Sequence, residues 1–285
     1  MKTLQQFAYG KLNLTLDILG KRPDGYHELE MVMCSVSLCD RLVISLGTCG
    51  PWRVRCDRPG IPQDEGNLCY KAAKVFFDAA GIDPNGLMIN VLKNIPAQAG
   101  MGGGSSDAAG ILLALNRHYG RFSEERLRAL GLQVGSDVPY CMFGGVALAR
   151  GRGEILTRLP DLPKGLCFVL VKPDFSVSTP ALFARIDAAG VQVRPDTDTM
   201  VQAIRNKDGK AIGRLLENAF EPAVSEDYPV VQRIRGTMLS RGALGARLTG
   251  TGSVVFGLFD DRLAAARAAL ELQDKYREVH IVTPV

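Results

Sequence analysis

Apolar and polar residues alternate along the first part of the chain, and this pattern predicts strands. Between positions 7 and 19, leucines at every second position alternate with polar residues, which is the period of a strand with one buried face. Residues 31–46 carry a similar β-type pattern. Apolar residues recur at helical spacing from 67 to 80, and residues 87–92 are typical of another strand. The N-terminal part is therefore expected to combine strands with helices.

A similar pattern of strands and helices restarts after Pro160. The further elements expected along the chain are a helix at 123–132, a strand at 166–171, helices at 179–189, 200–220 and 230–241, a hairpin at 248–259, a helix at 263–276 and a strand at 280–282. We place a domain boundary between residues 152 and 163. The expected domains are residues 1–155 and residues 156–285.

Composition narrows the class of protein. The 285 residues are 46% hydrophobic and 22% charged, which is typical of a folded globular protein of one large or two smaller α/β units. The net charge of +4 comes from scattered residues without a run of Lys or Arg, so nucleic acid is not an expected partner. Seven cysteines without a C-x-x-C pair indicate neither zinc nor a disulfide framework. No stretch has the length of a signal peptide or membrane span, so we expect a cytoplasmic protein.

A glycine-rich loop precedes an apolar helix in the middle of the N-terminal part. Its sequence is Pro96-Ala97-Gln98-Ala99-Gly100-Met101-Gly102-Gly103-Gly104-Ser105-Ser106-Asp107. Glycines let backbone N–H groups approach a phosphate, and the free N–H groups at the start of the following helix favour an anion. We expect that helix to begin near Ser105 or Ser106, whose hydroxyls could cap it or contact phosphate and metal. The alternative is a flexible turn that merely tolerates glycine.

The loop differs from the two commonest phosphate-binding motifs. No Gly-Lys-Ser/Thr closes it, and the G-x-G-x-x-G spacing of dinucleotide-binding proteins is absent. Both of those folds are therefore disfavoured.

Lys11 and Asn13 lie two residues apart on the first predicted strand. Side chains two apart share one face of a strand, so these two polar groups are expected to point together while the leucines face the core. A solvent-facing strand edge would show the same pattern. Both interpretations are open from the pattern alone.

Residues 96–109 resemble the second motif of the GHMP kinases, with Met101 where leucine is usual. The resemblance implies an α/β fold of the α+β two-lobed GHMP kinase type, with a ribosomal S5-like N-terminal domain and a ferredoxin-like C-terminal domain. It also implies ATP as the cofactor, with Mg²⁺, and it implies that residues 96–106 surround the ATP phosphates.

A second segment, residues 20–29, resembles the N-terminal signature of one branch of this family. The substrate of that branch is a methylerythritol joined to cytidine diphosphate. The resemblance implies that Tyr26 packs or stacks at the cytidine end, that His27 hydrogen-bonds the base, and that Asn13 belongs to the substrate site. Without the resemblance, His27 is as typical of a turn residue or a partly buried side chain with a satisfied partner.

Asp137 lies in the sequence Gly135-Ser136-Asp137-Val138-Pro139. From the residues alone, an ordinary turn or N-cap aspartate explains it. The resemblance implies that Asp137 is the catalytic base that accepts the substrate hydroxyl proton. It implies that Lys11 keeps this carboxylate ionised and stabilises the attacking oxygen.

Three weaker signals complete the implied site. Phe183, near the start of a predicted helix, could stack on cytosine, or it could be a core residue. Residues 248–253 resemble the third motif of the family, although a plain hairpin turn would look similar. Asn67 could contact adenine by family analogy, or it could cap the helix that follows it.

Other functions remain open at this point. A GHMP kinase could act on another small alcohol such as homoserine, mevalonate or a sugar, and a non-catalytic regulator could bind the nucleotide with Lys11 and Asp137 expendable. The metal ligands are unassigned, since Ser105 and Ser106 are candidates and no acidic partner is evident. We expect a small-molecule substrate, no membrane partner, and a monomer or homodimer.

Overall fold

The computed structural model describes residues 2–285, which form two compact units. The first unit contains the residues up to 10, residues 38–97 and residues 102–143. The second contains residues 11–37, 98–101 and 144–285. Each unit thus draws on several segments of the chain. The division into 1–155 and 156–285 stays a prediction about domains.

Strands and helices alternate along most of the chain. The strands are β1 (Lys2–Lys21), β2 (His27–Leu46), β3 (Arg53–Cys56), β4 (Leu87–Leu92), β5 (Val146–Gly151), β6 (Ile155–Arg158), β7 (Cys167–Lys172), β8 (Glu217–Asn218), β9 (Gly245–Leu248), β10 (Val255–Phe259) and β11 (Glu278–Val282). The helices are α1 (Leu68–Ala80), α2 (Gly103–Tyr119), α3 (Glu124–Val134), α4 (Val138–Phe143), α5 (Thr179–Ala189), α6 (Thr197–Arg205), α7 (Gly209–Leu215), α8 (Glu221–Asp227), α9 (Val230–Ser240) and α10 (Arg262–Gln273).

In the first unit, four helices accompany a small sheet. Residues 41–46 of β2 pair antiparallel with β4, and β4 pairs in parallel with β3. Apolar residues of β2, β4, α1, α2 and α3 form one hydrophobic core. Phe76 and Phe77 of α1 are fully buried there because the helix turns its apolar positions toward the sheet.

The second unit contains a four-stranded antiparallel sheet in the order β11-β7-β10-β9. Numbered by their order in the chain, these are the fourth, first, third and second strands of the sheet. Helices α5 to α9 lie between β7 and β9, and α10 lies between β10 and β11. That connectivity is the ferredoxin-like β-α-β-β-α-β arrangement. The predicted α/β fold class is confirmed. The same unit holds the pairing of β5 with residues 29–34 of β2 and with β6.

Strand β1 differs from the expected half-buried strand. Every residue from 10 to 18 is buried, so both faces of the strand are covered. Its polar side chains find hydrogen-bond partners inside the protein: the Thr15 hydroxyl, for example, accepts from the Val32 N–H at 3.0 Å. The leucine alternation predicted the strand correctly but not the burial of its polar face.

The single helix expected at 200–220 is wrong, because the chain forms α6, α7 and the short strand β8 in that interval. Lys207 has a left-handed backbone with φ 57° and ends the first helix. The Asp208 carboxylate then accepts from the Ala211 N–H and caps the next helix. The short elements β3, β6 and α8 have no counterpart among the predicted elements.

None of the helices in residues 2–285 has the length and apolar character that a bilayer-spanning helix needs.

Substitution of Leu170 by alanine should destabilise the protein by about 2–4 kcal/mol, because Leu170 is fully buried in the middle of β7 and its removal leaves a cavity. Leu270→Ala is the matched control, since the Leu270 side chain is 67% exposed. Urea unfolding followed by circular dichroism measures both. Equal effects of the two substitutions would contradict the assigned core.

Candidate active site

The glycine loop connects β4 to α2. Helix α2 begins at Gly103, two residues earlier than expected, with Gly102 as its N-cap in the left-handed region at φ 68°. No side chain caps this end, and both serines lie in the first turn, so of their two predicted roles the cap is wrong and contact with phosphate or metal stays a prediction. The N–H groups in the first turn of this 17-residue helix are thereby left without a side-chain acceptor. Such an end is suited to bind phosphate oxygens.

The tip of the loop packs against the backbone of residues 249–254. Gly100 has φ +73°, and a Cβ there would lie only 2.1 Å from the Thr249 carbonyl oxygen. The Val254 N–H donates to the Ala99 carbonyl at 3.2 Å. Only glycine permits this approach at position 100. The structure therefore brings together residues from the second and third motifs of the sequence.

Asn218 holds the third motif in place and was missed in the sequence. Its fully buried side chain donates to the carbonyls of Leu248 and Gly250 at 2.9 and 2.8 Å. The Thr249 hydroxyl between them accepts from the Asn13 N–H at 3.0 Å. A two-residue strand with an isolated asparagine carries no recognisable signal, so only the structure identifies Asn218.

Lys11 and Asn13 are buried and contact each other, as the strand period predicted. The Lys11 ammonium donates to Asn13 Oδ1 at 2.7 Å, and the Lys11 N–H donates to the Met101 carbonyl at 3.0 Å. Asn13 Nδ2 lies 3.3 Å from Met31 Sδ. The alternative of a solvent-facing strand edge is wrong. The backbone of Lys11 thus lies beside the glycine loop, while its buried ammonium is held by Asn13.

A second buried cation, Lys93, lies where β4 leads into the loop. Its ammonium donates to the carboxylates of Asp40 and Asp107, the latter at 2.8 Å. Asp40 also accepts from the N–H groups of Asn94 and Ile95 at 2.6 and 2.8 Å. This charge cluster fixes the entry to the loop. The three residues are far apart in the chain, which is why the sequence did not single them out.

Burial dominates the protonation of this cluster. Desolvation, partly opposed by Lys93, raises the pKa of Asp107 to about 7. Within residues 2–285, Asp107 Oδ1 is a buried atom that has no hydrogen-bond partner. The two carboxylates raise the pKa of Lys93 in spite of its burial, so the ammonium stays charged.

Asp137 is half-buried at the start of α4, where its carbonyl accepts from the Cys141 N–H at 3.0 Å. The same turn lies beside α2, since a Cβ at Gly135 would be 3.8 Å from the Ser105 hydroxyl. The Ser106 hydroxyl donates to the Tyr9 carbonyl at 2.7 Å. The first unit therefore places the Asp137 turn next to the first turn of the helix that follows the glycine loop.

Asn67 caps α1, because its side chain accepts from the Cys69 N–H at 2.8 Å and donates to the Pro62 carbonyl at 2.6 Å. The N-cap interpretation is confirmed. Contact with adenine stays a prediction.

His27 and Phe183 come together in the second unit. Their rings stack with centroids 4.2 Å apart and an interplanar angle of 18°. His27 Nε2 lies 2.6 Å from Asp187 Oδ1. Tyr26 is half-exposed, and the Arg152 guanidinium covers its ring at 3.4 Å. Phe183 thus contacts His27, and its stacking on cytosine stays a prediction.

The sequence matches two family descriptions over these elements. Residues 67–145 match "GHMP kinases N terminal domain" and residues 200–278 match "GHMP kinases C terminal". Together with the ferredoxin-like sheet and the glycine loop at α2, these matches define a small-molecule kinase. The chain belongs to the GHMP kinase family, which uses ATP.

Individual relatives are similar over their whole length. The 4-diphosphocytidyl-2-C-methyl-D-erythritol kinase of Clostridium novyi (strain NT) is 40% identical over 279 residues, covering 98% of this chain and 99% of the relative. A crystal structure of a 4-(cytidine 5'-diphospho)-2C-methyl-D-erythritol kinase is 33% identical with a TM-score of 0.82, covering 98% of both chains. A homoserine kinase from Cytophaga hutchinsonii has a TM-score of 0.78 at 20% identity, covering 100% of this chain and 96% of its own, and shares the fold alone.

Gly100→Ala should lower stability by at least about 1 kcal/mol and weaken ATP binding, because alanine disfavours the positive φ and its methyl group overlaps the Thr249 carbonyl. Gly236→Ala is the control, since a Cβ there meets nothing within 4 Å and the residue lies inside α9. Urea unfolding and calorimetric titration with ATP measure the two effects. Wild-type behaviour of Gly100→Ala would refute the close backbone contact.

Asp107 should make stability depend on pH. Its pKa is raised in the folded protein, so between about pH 4 and pH 7 the native state binds a proton that the unfolded chain has lost. This contribution to stability is therefore lost as pH rises toward 7. Relative to that of Asp107→Asn, the free energy of unfolding of the wild type should fall by about 2 kcal/mol between about pH 5 and pH 7.5, as measured by urea unfolding. Asp260→Asn is the control, because Asp260 is exposed. Its free energy of unfolding should change with pH in the same way as that of the wild type. If the free energy of unfolding of Asp107→Asn changed with pH in the same way as that of the wild type, the raised pKa would be contradicted.

Proposed function

We propose that the protein transfers the γ-phosphoryl group of ATP to the 2-hydroxyl of 4-diphosphocytidyl-2-C-methyl-D-erythritol, a step of non-mevalonate isoprenoid biosynthesis. The observation that carries the proposal is the 40% identity, over 98% of the chain, to a kinase named for this substrate. The buried Lys11 and the glycine loop beside it support the phosphoryl-transfer chemistry.

The donor end of the reaction belongs to residues 96–106. The triphosphate would bind the N–H groups at the start of α2, where the N-cap is Gly102 and no side chain caps the helix. Lys93 lies close behind, since a Cβ at Gly103 would be 3.3 Å from its ammonium. Adenine contact with Asn67 belongs to the same proposal.

Magnesium would arrive with the nucleotide. Residues 2–285 contain no group of three or more His, Cys, Asp or Glu side chains that could hold a metal ion. Mg²⁺ at phosphoryl-transfer sites is held mostly by substrate phosphates and water, with one or two protein oxygens, so the donor set here fits an ion bound through ATP. The ion neutralises charge on the phosphates. The Ser105 hydroxyl in the first turn of α2 is the candidate protein oxygen.

Asp137 and Lys11 would act on the acceptor hydroxyl. A carboxylate at the start of α4 can accept the proton that the hydroxyl loses as it attacks. A buried ammonium at Lys11 can stabilise the negative charge on the attacking oxygen, since an interaction of this kind is strong away from water. Asn13 orients Lys11 through its side-chain oxygen at 2.7 Å. Phosphoryl transfer depends mainly on such positioning and charge stabilisation.

The cytidine end would bind at Tyr26, His27 and Phe183. Aromatic faces can stack on a nucleobase, and an imidazole nitrogen can hydrogen-bond its edge. We further propose that the protein works in the cytoplasm, as a monomer or a homodimer.

Purified protein with ATP and Mg²⁺ should phosphorylate the cytidyl substrate and leave homoserine, mevalonate and galactose essentially unreacted. Asp137→Asn should lose at least about a hundredfold in kcat while it keeps its fold and its ATP affinity, because only the proton acceptor is removed. Asp198→Asn, an exposed aspartate of α6, is the matched control. A coupled assay of ADP release measures all of these.

Turnover of another alcohol in preference to the cytidyl substrate would overturn the assigned acceptor. ATP binding without turnover of any acceptor would favour a non-catalytic regulator. An Asp137→Asn variant with wild-type kcat would remove Asp137 from the role of base.

A further inference from the structure

Helix α5 holds the ring of His27 at two points. Phe183, on the first turns of the helix, stacks on the ring at 4.2 Å. One helical turn later, Asp187 Oδ1 lies 2.6 Å from His27 Nε2, while Asp187 Oδ2 accepts from the Lys21 ammonium at 2.8 Å. Stacking fixes the plane of the ring, and the carboxylate selects which of its nitrogens faces α5.

We propose that Asp187 is a positioning residue that fixes the tautomer of His27 and thereby makes the site prefer cytosine over uracil. This inference rests on the proposed function, because it requires that His27 meets a nucleobase. Asp187 itself need not touch the substrate.

The chemistry of the carboxylate determines the tautomer. Hydrogen bonds from Lys21 and then His27 hold the pKa of Asp187 below its usual range, so the carboxylate is ionised and can only accept. His27 Nε2 must therefore carry the hydrogen of this bond. In a neutral imidazole the other nitrogen, Nδ1, is then an acceptor. A 180° rotation of the ring would break the bond to Asp187.

A fixed acceptor at Nδ1 distinguishes the two pyrimidines. Cytosine carries an amino group at position 4, which donates hydrogen bonds, whereas uracil carries a carbonyl oxygen at the same place, which only accepts. An acceptor on the protein is satisfied by the first and repelled by the second. If Nδ1 carried the hydrogen instead, the preference would reverse. The tautomer of His27 is thus a determinant of specificity, and Asp187 sets it.

The competing explanation is that Asp187 serves only to attach α5. Its salt bridge to Lys21 is consistent with that role, although the Lys21 side chain is 59% exposed and such pairs contribute little. A purely structural Asp187 would affect stability and leave the choice of base unchanged. The base preference and the tautomer therefore separate the two explanations.

The test compares the wild type with Asp187→Asn and with Asp227→Asn, a matched control whose carboxylate pairs with Arg185 instead of His27. Titration calorimetry measures the affinity for cytidine diphosphate and uridine diphosphate, steady-state kinetics measures KM for the cytidyl substrate and for ATP, and ¹⁵N shifts of the imidazole nitrogens report the tautomer of neutral His27. Asparagine can donate as well as accept at this position, so it no longer selects one tautomer.

We expect the wild type and Asp227→Asn to hold His27 with hydrogen on Nε2 and to prefer cytidine diphosphate. Asp187→Asn should show a mixture of tautomers, about tenfold weaker binding of cytidine diphosphate and a cytidyl KM raised to match, consistent with one lost hydrogen bond. Its KM for ATP should stay within about twofold of the wild type. Its preference for cytosine over uracil should shrink by a similar factor of about ten.

Two results would overturn the inference. Hydrogen on Nδ1 in the wild type would refute it even if Asp187→Asn failed to fold, and an unchanged base preference in a folded Asp187→Asn would refute it by itself. Failure of the wild type to bind cytidine diphosphate or to use the cytidyl substrate would instead overturn the proposed function, and this inference with it.

Discussion

The close approach of two backbone segments, at Gly100 and at Thr249, is the constraint on which the candidate site depends. Position 100 has no room for a side chain, because a Cβ would lie 2.1 Å from the Thr249 carbonyl oxygen. The Thr249 hydroxyl accepts from Asn13 on β1, and Asn218 holds the carbonyls on either side of it. The tip of the glycine loop is thereby fixed before any ligand binds, and such preorganisation is what phosphoryl transfer requires.

Each unit also contains buried charged side chains. Lys93, Asp40 and Asp107 are all buried, and one carboxylate oxygen of Asp107 has no hydrogen-bond partner among residues 2–285. Removing such charges from water costs more than hydrophobic packing in the same place, so stability does not explain them. Their position explains them, because Asp40 accepts from the N–H groups of Asn94 and Ile95 where the chain enters the loop. Lys11, on the other unit, is a buried ammonium bonded to Asn13.

Local patterns predicted what depends on neighbours in the sequence. The leucine period predicted β1, helical spacing predicted α1 and α5, and strand period placed Lys11 beside Asn13. The patterns failed at two places. Contacts with distant residues bury both faces of β1, and the capping residue Asp208 divides the helix expected over 200–220. Asn218, Lys93 and Asp40 acquire their roles only through partners far away in the chain, so no local signal identified them.

The same distinction applies to substrate specificity. A homoserine kinase shares this fold at 20% identity, so the fold alone cannot determine the acceptor substrate. A few side chains must determine it instead. A short segment of sequence singles out His27, yet an imidazole can present either a donor or an acceptor. Which one it presents depends on Asp187, 160 residues further along the chain on a helix whose sequence carries no signal for this role. The segment therefore singles out the residue, and a tertiary contact determines whether its imidazole offers a donor or an acceptor.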